Sequence, residues 1–319
     1  MMKSISVVIA THNRATILRE TLEAMTSVDF RGIQVEWVVI NNSCSDETDA
    51  VLLSFQERLP LRRLYEPIAG KNRALNRALS ESCLGDIIIF SDDDVQPSSC
   101  WLHEILVASD RWPDHSVFGG RVMPMWPSGG PPNWLEQPFL RAIAFSSHDL
   151  GQIEMPYPRG TYPFGPNFWV RKSVFSTGRQ FAEHIGPIAT RRIMGSETSF
   201  LKALEDDGYE MIYVPNVSLY HRIKSHDCDF EVIAKRASSY GRGRAWIDGI
   251  DYDGLLTNHS IWWRSRQGLK AVRAFAKLCI GHFRVGKIKR REYMLLQYIE
   301  LGRLGESLRI AKMSARRSP

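Results

Sequence analysis

Three consecutive carboxylates, Asp92-Asp93-Asp94, directly follow the apolar run Ile87-Ile-Ile-Phe-Ser91. Adjacent negative charges repel one another, and at the end of a buried strand they need a positive partner. A divalent cation is such a partner. Mg²⁺ or Mn²⁺ held by one or two carboxylates takes the rest of its shell from substrate phosphates and water. A plainer reading makes the triplet an acidic surface turn that caps a helix at Pro97. Which reading holds depends on where the fold puts the triplet.

The first hundred residues alternate strand and helix. Ser4 to Ala10 is a short, β-branched, almost wholly apolar run, as expected of a strand buried on both faces. Ala15 to Met25 carries Ile17, Leu18, Leu22 and Met25 at helical spacing, and Val35 to Ile40 reads as a second buried strand. A helix is expected from Ser45, with Asp46 and Glu47 in its first turn. A strand near Arg62 to Tyr65, a helix introduced by Gly70, and the strand Asp86 to Ser91 complete the series. This order predicts an α/β fold with a doubly wound, mostly parallel sheet. Such sheets bind ligands beyond the carboxyl ends of their strands. The segments there are Thr11 to Arg14, Asn41 to Asp46 and Asp92 to Asp94. That position favours the cation reading of the triplet.

Beyond residue 100 the pattern changes. Nine of the sixteen prolines fall between Met123 and Pro166, so long loops are expected there. Regular structure is expected again near Asn167 to Val174, as a helix over Thr198 to Asp207, and as a strand over Met211 to Val214. From Phe230 the sequence reads as helices over 230–246, 266–283 and 291–313. The predicted division is a catalytic region over 1–228 and a basic helical extension over 229–319.

The net charge of +6 conceals an asymmetry. From Glu231 onward there are 19 basic and 7 acidic residues, which leaves 22 basic and 28 acidic before it. An acidic body with a basic tail does not suit a nucleic-acid-binding core. Arg264, Arg266, Lys270, Arg273 and Lys277 interleave with Trp262, Trp263, Leu269, Val272 and Phe275. That mixture suits either an interfacial helix on an anionic membrane or a solvated face of a packed helix. Five scattered cysteines without a CxxC pair fit reduced thiols. No run approaches the roughly 20 apolar residues of a membrane span. A cytoplasmic location is expected, with a peripheral position on the inner face of the membrane as an extension of it.

The strand leading into Thr11-His12-Asn13-Arg14, the turn Asn41-Asn42-Ser43-Cys44-Ser45-Asp46 and the Asp92-x-Asp94 element resemble the family 2 glycosyltransferases. Gly165-Pro166-Asn167, Gly195-Ser196-Glu197-Thr198 and Val217 to His221 extend the resemblance over about residues 4 to 222. It implies the GT-A fold and inverting transfer of a sugar from a nucleotide diphosphate donor, UDP-linked by preference, to a glycan or lipid-linked acceptor. It implies that Thr11, Asn13, Arg14, Asn41, Lys71, Asp92 and Asp93 contact the nucleotide sugar. Asp94 and His221 are the implied ligands of Mg²⁺ or Mn²⁺, Glu197 the catalytic base, and Asn167 and Trp169 the acceptor side. Three positions depart from the family pattern. Asn41 replaces an aspartate, Leu75 an arginine, and Ser196-Glu197 a Glu-Asp pair. These departures leave a second reading open: a degenerate transferase fold that binds a membrane or a partner. A Rossmann dehydrogenase is excluded because no GxGxxG follows the first strand.

Overall fold

A computed structural model describes residues 3–188, 191–248 and 287–315, together with Leu269, Val272, Arg273 and Ala276. Most of the helix expected over 266–283, and with it the interfacial segment, lies outside the described residues; those four residues are helical. The chain divides into two compact units. The first comprises 1–125, 146–183 and 197–222, and the second 126–145, 184–196 and 223–319.

The first unit is built on parallel strands β1 (Ile5–Thr11), β2 (Val35–Asn42), β3 (Leu61–Glu66) and β4 (Ile87–Ser91). Helices α1 (Ala15–Met25), α2 (Thr48–Ser54) and α3 (Lys71–Leu79) connect them. The strands are apolar throughout because each faces two cores. Val7, Ile9, Trp37 and Val39 pack with Leu18, Leu22 and Leu52 on one side of the sheet. Val8, Val38, Ile40 and Ile88 pack with Ala74, Leu75 and Ala78 on the other. Leu75 is thus a core residue.

Next come β5 (Val95–Pro97), α4 (Trp101–Arg111), β6 (Val117–Met125), α5 (Pro138–Phe145), β7 (Met155–Pro156) and β8 (Phe168–Arg171). Strands β9 (Gly186–Ile188) and β10 (Arg191–Ile193) precede α6 (Ser196–Asp206), β11 (Met211–Arg222), α7 (Phe230–Ile247) and α8 (Lys287–Ala315). The main sheet runs β3-β2-β1-β4-β8-β6-β11-β5, with β7 beside β11. Strand β8 lies antiparallel between β4 and β6, and β6 and β11 are parallel. The expected doubly wound sheet with helices on both faces is present, its second half mixed.

Three local expectations change. The helix expected from Ser45 begins at Thr48, whose backbone N–H and hydroxyl both donate to Asp46 Oδ1. The proline-rich stretch contains α5, which opens on Pro138, where the missing N–H costs no helical bond. The strand expected over Met211 to Val214 continues to Arg222 past Pro215, where its register with β6 shifts between Val214 and Ser218.

The second unit has its own core. Leu140, Ile143 and Phe145 of α5 pack with Ile233 and Ala237 of α7 and Leu295 and Ile299 of α8. Two glycines set the crossing of α7 and α8. A Cβ on Gly241 would lie 1.9 Å from the Ile299 carbonyl oxygen, and one on Gly302 would lie 2.1 Å from that of Ser238. No helix among the described residues is long and apolar enough to cross a membrane.

Candidate functional site

The site forms where β1, β2 and β4 end together. Thr11 pairs with Asn41, and Ile9 with Ser91, so the residues after Ser91 reach the level of Thr11. Side chains along Asp92 to Asp94 then point in different directions. Asp93 turns inward: its carboxylate accepts from the Thr11 hydroxyl at 2.7 Å and pairs with Arg14. Its backbone oxygen accepts from the Thr21 hydroxyl of α1 at 2.7 Å. Asp94 takes the other guanidinium nitrogen of Arg14 at 2.7 Å, and its Oδ1 lies 3.2 Å from His221 Nε2. His221 stands there because β11 pairs antiparallel with β5, matching it to Val95.

Asp92 faces the start of α3. Lys71 is the first residue of that helix, and its Nζ lies 2.6 Å from Asp92 Oδ1 and 2.6 Å from Glu197 Oε1. Asn42 fixes the approach by accepting the Gly70 N–H at 2.7 Å and donating to the Ile68 carbonyl at 2.8 Å. Glu197 sits in the first turn of α6, where the helix dipole favours a carboxylate. Opposite it is Gly165, on which a Cβ would lie 2.8 Å from the Glu197 carboxylate. The Ser91 hydroxyl donates to the Pro166 carbonyl at 2.8 Å and ties that turn to β4.

Two carboxylate clusters therefore adjoin: Asp92 and Glu197 on Lys71, and Asp93 and Asp94 on Arg14. Four carboxylates thus share two permanent cations, with His221 beside Asp94. Burial raises the Asp93 carboxyl to about 7, and Asp94 and Asp92 add to the rise while Arg14 opposes it. Burial alone would also raise Asp94, but His221 and Arg14 outweigh it and hold Asp94 below the usual carboxylate range. Burial likewise works against the Lys71 charge, yet Asp92 and Glu197 overcome it and raise this ammonium above its ordinary value.

Among the described residues no three metal-donating side chains converge. The donor set nonetheless suits a divalent cation. Two cis ligands at about 2.1 Å from one ion lie about 3 Å apart, close to the 3.2 Å between Asp94 Oδ1 and His221 Nε2.

Several residues have local duties. Asn13 adopts φ 52° and accepts the Ser45 N–H at 2.7 Å, joining the first two loops. Asp46 Oδ2 accepts the Ala15 N–H at 2.9 Å while its other oxygen starts α2, so one carboxylate anchors two helices. Asn41 donates to Asp49 and accepts from the Cys44 N–H, both at 2.9 Å, so its amide serves the turn. Arg14 remains 39% exposed along its side chain and is the most open cation of the site.

Three residues depart from the expected contacts. Trp169, expected on the acceptor side, is fully buried, donates to the Ser109 hydroxyl at 3.1 Å and stacks on Phe118. Its indole is packed in the core on one face of the sheet and has no surface to offer a ligand. Asn167 is equally buried, accepting from the Trp101 indole at 3.0 Å and donating to the Arg121 and Val217 carbonyls, each at 2.9 Å. Its amide sets the bulge of β11 that leads to His221. Asp93, expected to contact the nucleotide sugar, is enclosed by Thr11 and Arg14. Gly165 belongs to a motif of the family resemblance, but its closeness to Glu197 is not announced by the sequence.

Comparison with known proteins points the same way. Glycosyltransferase AglE of Haloferax volcanii is 24% identical over 248 residues, covering 77% of this chain and 75% of AglE. Mannosyltransferase PcManGT from Pyrobaculum calidifontis, solved with GDP-Man and Mn2+, superposes with a TM-score of 0.61 at 17% identity, covering 97% of this chain and 88% of that one. TarS 1-349 of S. aureus, solved with UDP-GlcNAc, gives 0.52 at 14% identity, covering 97% of this chain and 92% of that one. These likenesses show the fold. The model of glycosyl transferase family 2 matches residues 6–178, more than half of the sequence. The chain therefore belongs to glycosyl transferase family 2.

Proposed function

We propose that the protein is an inverting glycosyltransferase that moves a sugar from a nucleotide diphosphate to an acceptor hydroxyl, with Glu197 as the base. The single observation that carries this reading is the shared ammonium of Lys71, 2.6 Å from both Asp92 and Glu197. It sets the base candidate beside the acidic triplet in one site. In an inverting transfer the acceptor oxygen attacks the anomeric carbon in line as the diphosphate departs on the opposite side. Glu197 accepts the hydroxyl proton. Lys71 orients Glu197 before the donor arrives. Arg14, half-open beside Asp94, offers a cation to the diphosphate.

Asp94 and His221 would hold Mg²⁺ or Mn²⁺, with Asp92 close by. The ion's chemistry is to neutralise charge that develops on the departing diphosphate. A neighbour solved with GDP-Man and Mn2+ and another solved with UDP-GlcNAc support a nucleotide-sugar donor and a divalent ion. They differ in base, so the UDP preference rests on the sequence resemblance alone. The acceptor is a glycan or a lipid-linked sugar of a polysaccharide or glycoconjugate pathway. Residues 1–228 would carry donor binding and catalysis, and the basic extension 229–319 a peripheral position on the cytoplasmic face of a membrane.

The test is a melting-temperature screen of UDP-, GDP- and dTDP-sugars with and without Mn²⁺, since a ligand bound only by the native state must raise it. One donor should stabilise the wild type in an Mn²⁺-dependent way, and Asp94→Asn should abolish the Mn²⁺ increment. A wild type indifferent to every donor contradicts the proposal.

A further inference from the structure

The described half-turns of α8 carry a second feature that the transfer site does not use. Its exposed residues are Lys289, Arg290, Arg291, Tyr298, Leu301, Gly305, Leu308 and Lys312. From Arg290 onward these fall within an arc of about 100° at 3.6 residues per turn. The middle of the stripe is apolar, with Tyr298, Leu301 and Leu308 exposed by 37%, 46% and 56%. Its ends are basic, and no carboxylate lies on it. The acids of α8 face elsewhere. Glu292 accepts the Glu136 and Gln137 N–H groups at 2.6 and 2.8 Å, Glu306 accepts the Trp246 indole at 2.7 Å, and Glu300 is half-buried.

Tyr298 also lines a cavity of about 920 Å³ against α7 and β10. Lys235, Ser238, Ser239 and Arg242 enter it from one face of α7, and Arg192 from β10. Arg242 is aimed by its bonds to the Arg192 carbonyl at 3.2 Å and the Ser238 hydroxyl at 3.4 Å. Two acids share the wall. Asp227 is taken by Arg236 at 2.6 Å, which leaves Glu231 against Arg192, Lys235 and Arg242.

We infer that this face of the second unit docks on an anionic membrane, with a phospholipid phosphate in the cavity and acyl chains against Tyr298, Leu301 and Leu308. Charge complementarity selects that occupant. A protein partner would be expected to meet a mixed rim, whereas this stripe is apolar and basic only, the composition of an interfacial helix. Tyr298 joins the two parts, its ring suited to the headgroup level. The inference deepens the peripheral placement proposed above and is independent of the transferase reading.

The test is co-sedimentation of the full chain with phosphatidylcholine vesicles, with or without phosphatidylglycerol. Binding should require the anionic lipid and weaken as salt rises. Lys235→Glu with Arg242→Glu should lower partitioning at least about tenfold, and Leu301→Ser with Leu308→Ser should do so without a change of charge. Both should keep the wild-type melting temperature and its response to donor, so failure here and failure of the transferase reading are separable. Should either pair unfold, Lys235→Glu or Leu308→Ser alone carries the same comparison. Equal binding to both vesicle types, no binding to either, or variants that bind as the wild type does would overturn the inference. So would inorganic phosphate that raises the melting temperature of the wild type but not of Lys235→Glu with Arg242→Glu, while that variant binds anionic vesicles as the wild type does, because the cavity would then be a site for the free anion only.

Discussion

Lys71 and Glu197 are 126 positions apart in sequence, yet their charged atoms lie 2.6 Å apart, with Asp92 on the same ammonium. Lys71 is 22% exposed and Glu197 16%, so water screens the pair only in part. A cation so placed keeps two buried carboxylates from facing one another unopposed. Removing it leaves both without compensation, which typically costs about 3 kcal/mol. Lys71→Met should therefore lower the melting temperature by several degrees, and Lys71→Arg should recover most of the loss. Calorimetry of the two variants checks this, and Lys71→Met melting with the wild type would show the pair to be inconsequential.

Gly165 tests the other side of Glu197. A methyl group there would meet the carboxylate at 2.8 Å, so Gly165→Ala must displace it. Displacing a reacting group by about 1 Å costs about 100-fold in rate. Donor turnover by Gly165→Ala should fall by that order while the melting temperature changes little. Steady-state rates measured beside a thermal melt separate the two effects.

The site was legible in outline because strand ends announce themselves. Ile87 to Phe90 are apolar for the two cores they face, and charge begins where the strand leaves them. What a chain segment points at was not legible. Asp92, Asp93 and Asp94 are chemically alike in sequence, and only the fold sends the middle one inward to Thr11 and Arg14. Trp169, expected on the acceptor side, is claimed by the core, where its indole stacks on Phe118. The Gly165–Glu197 and Lys71–Glu197 contacts join distant segments, for which no local periodicity exists. Helix α5 hid behind prolines that turned out to flank or open it.

His148 gives a pH test in the body of the first unit. It stacks on Phe164 and faces the Tyr157 hydroxyl at 2.8 Å, and burial lowers its pKa from 6.5 to about 4. The unfolded chain thus binds this proton at higher pH than the folded one. The stabilisation is full above pH 6.5 and is lost as pH falls from 6.5 toward 4. The slope is about 1.4 kcal/mol per pH unit, so near 2 kcal/mol should be lost by pH 5. His148→Gln should lack this component, flattening the stability difference between pH 7 and pH 5 in urea titrations. An unchanged difference would assign the acid limb to other groups.

The central claim is that Glu197 takes a proton in the site whose phosphate-facing side is the acidic triplet. Glu197→Gln keeps the shape of the side chain and removes its basicity. Turnover of the stabilising donor in the presence of Mn²⁺ should fall by about 100-fold or more, while the rise in melting temperature with donor and Mn²⁺ persists. Turnover within a few-fold of the wild type, with that binding response intact, would contradict the account.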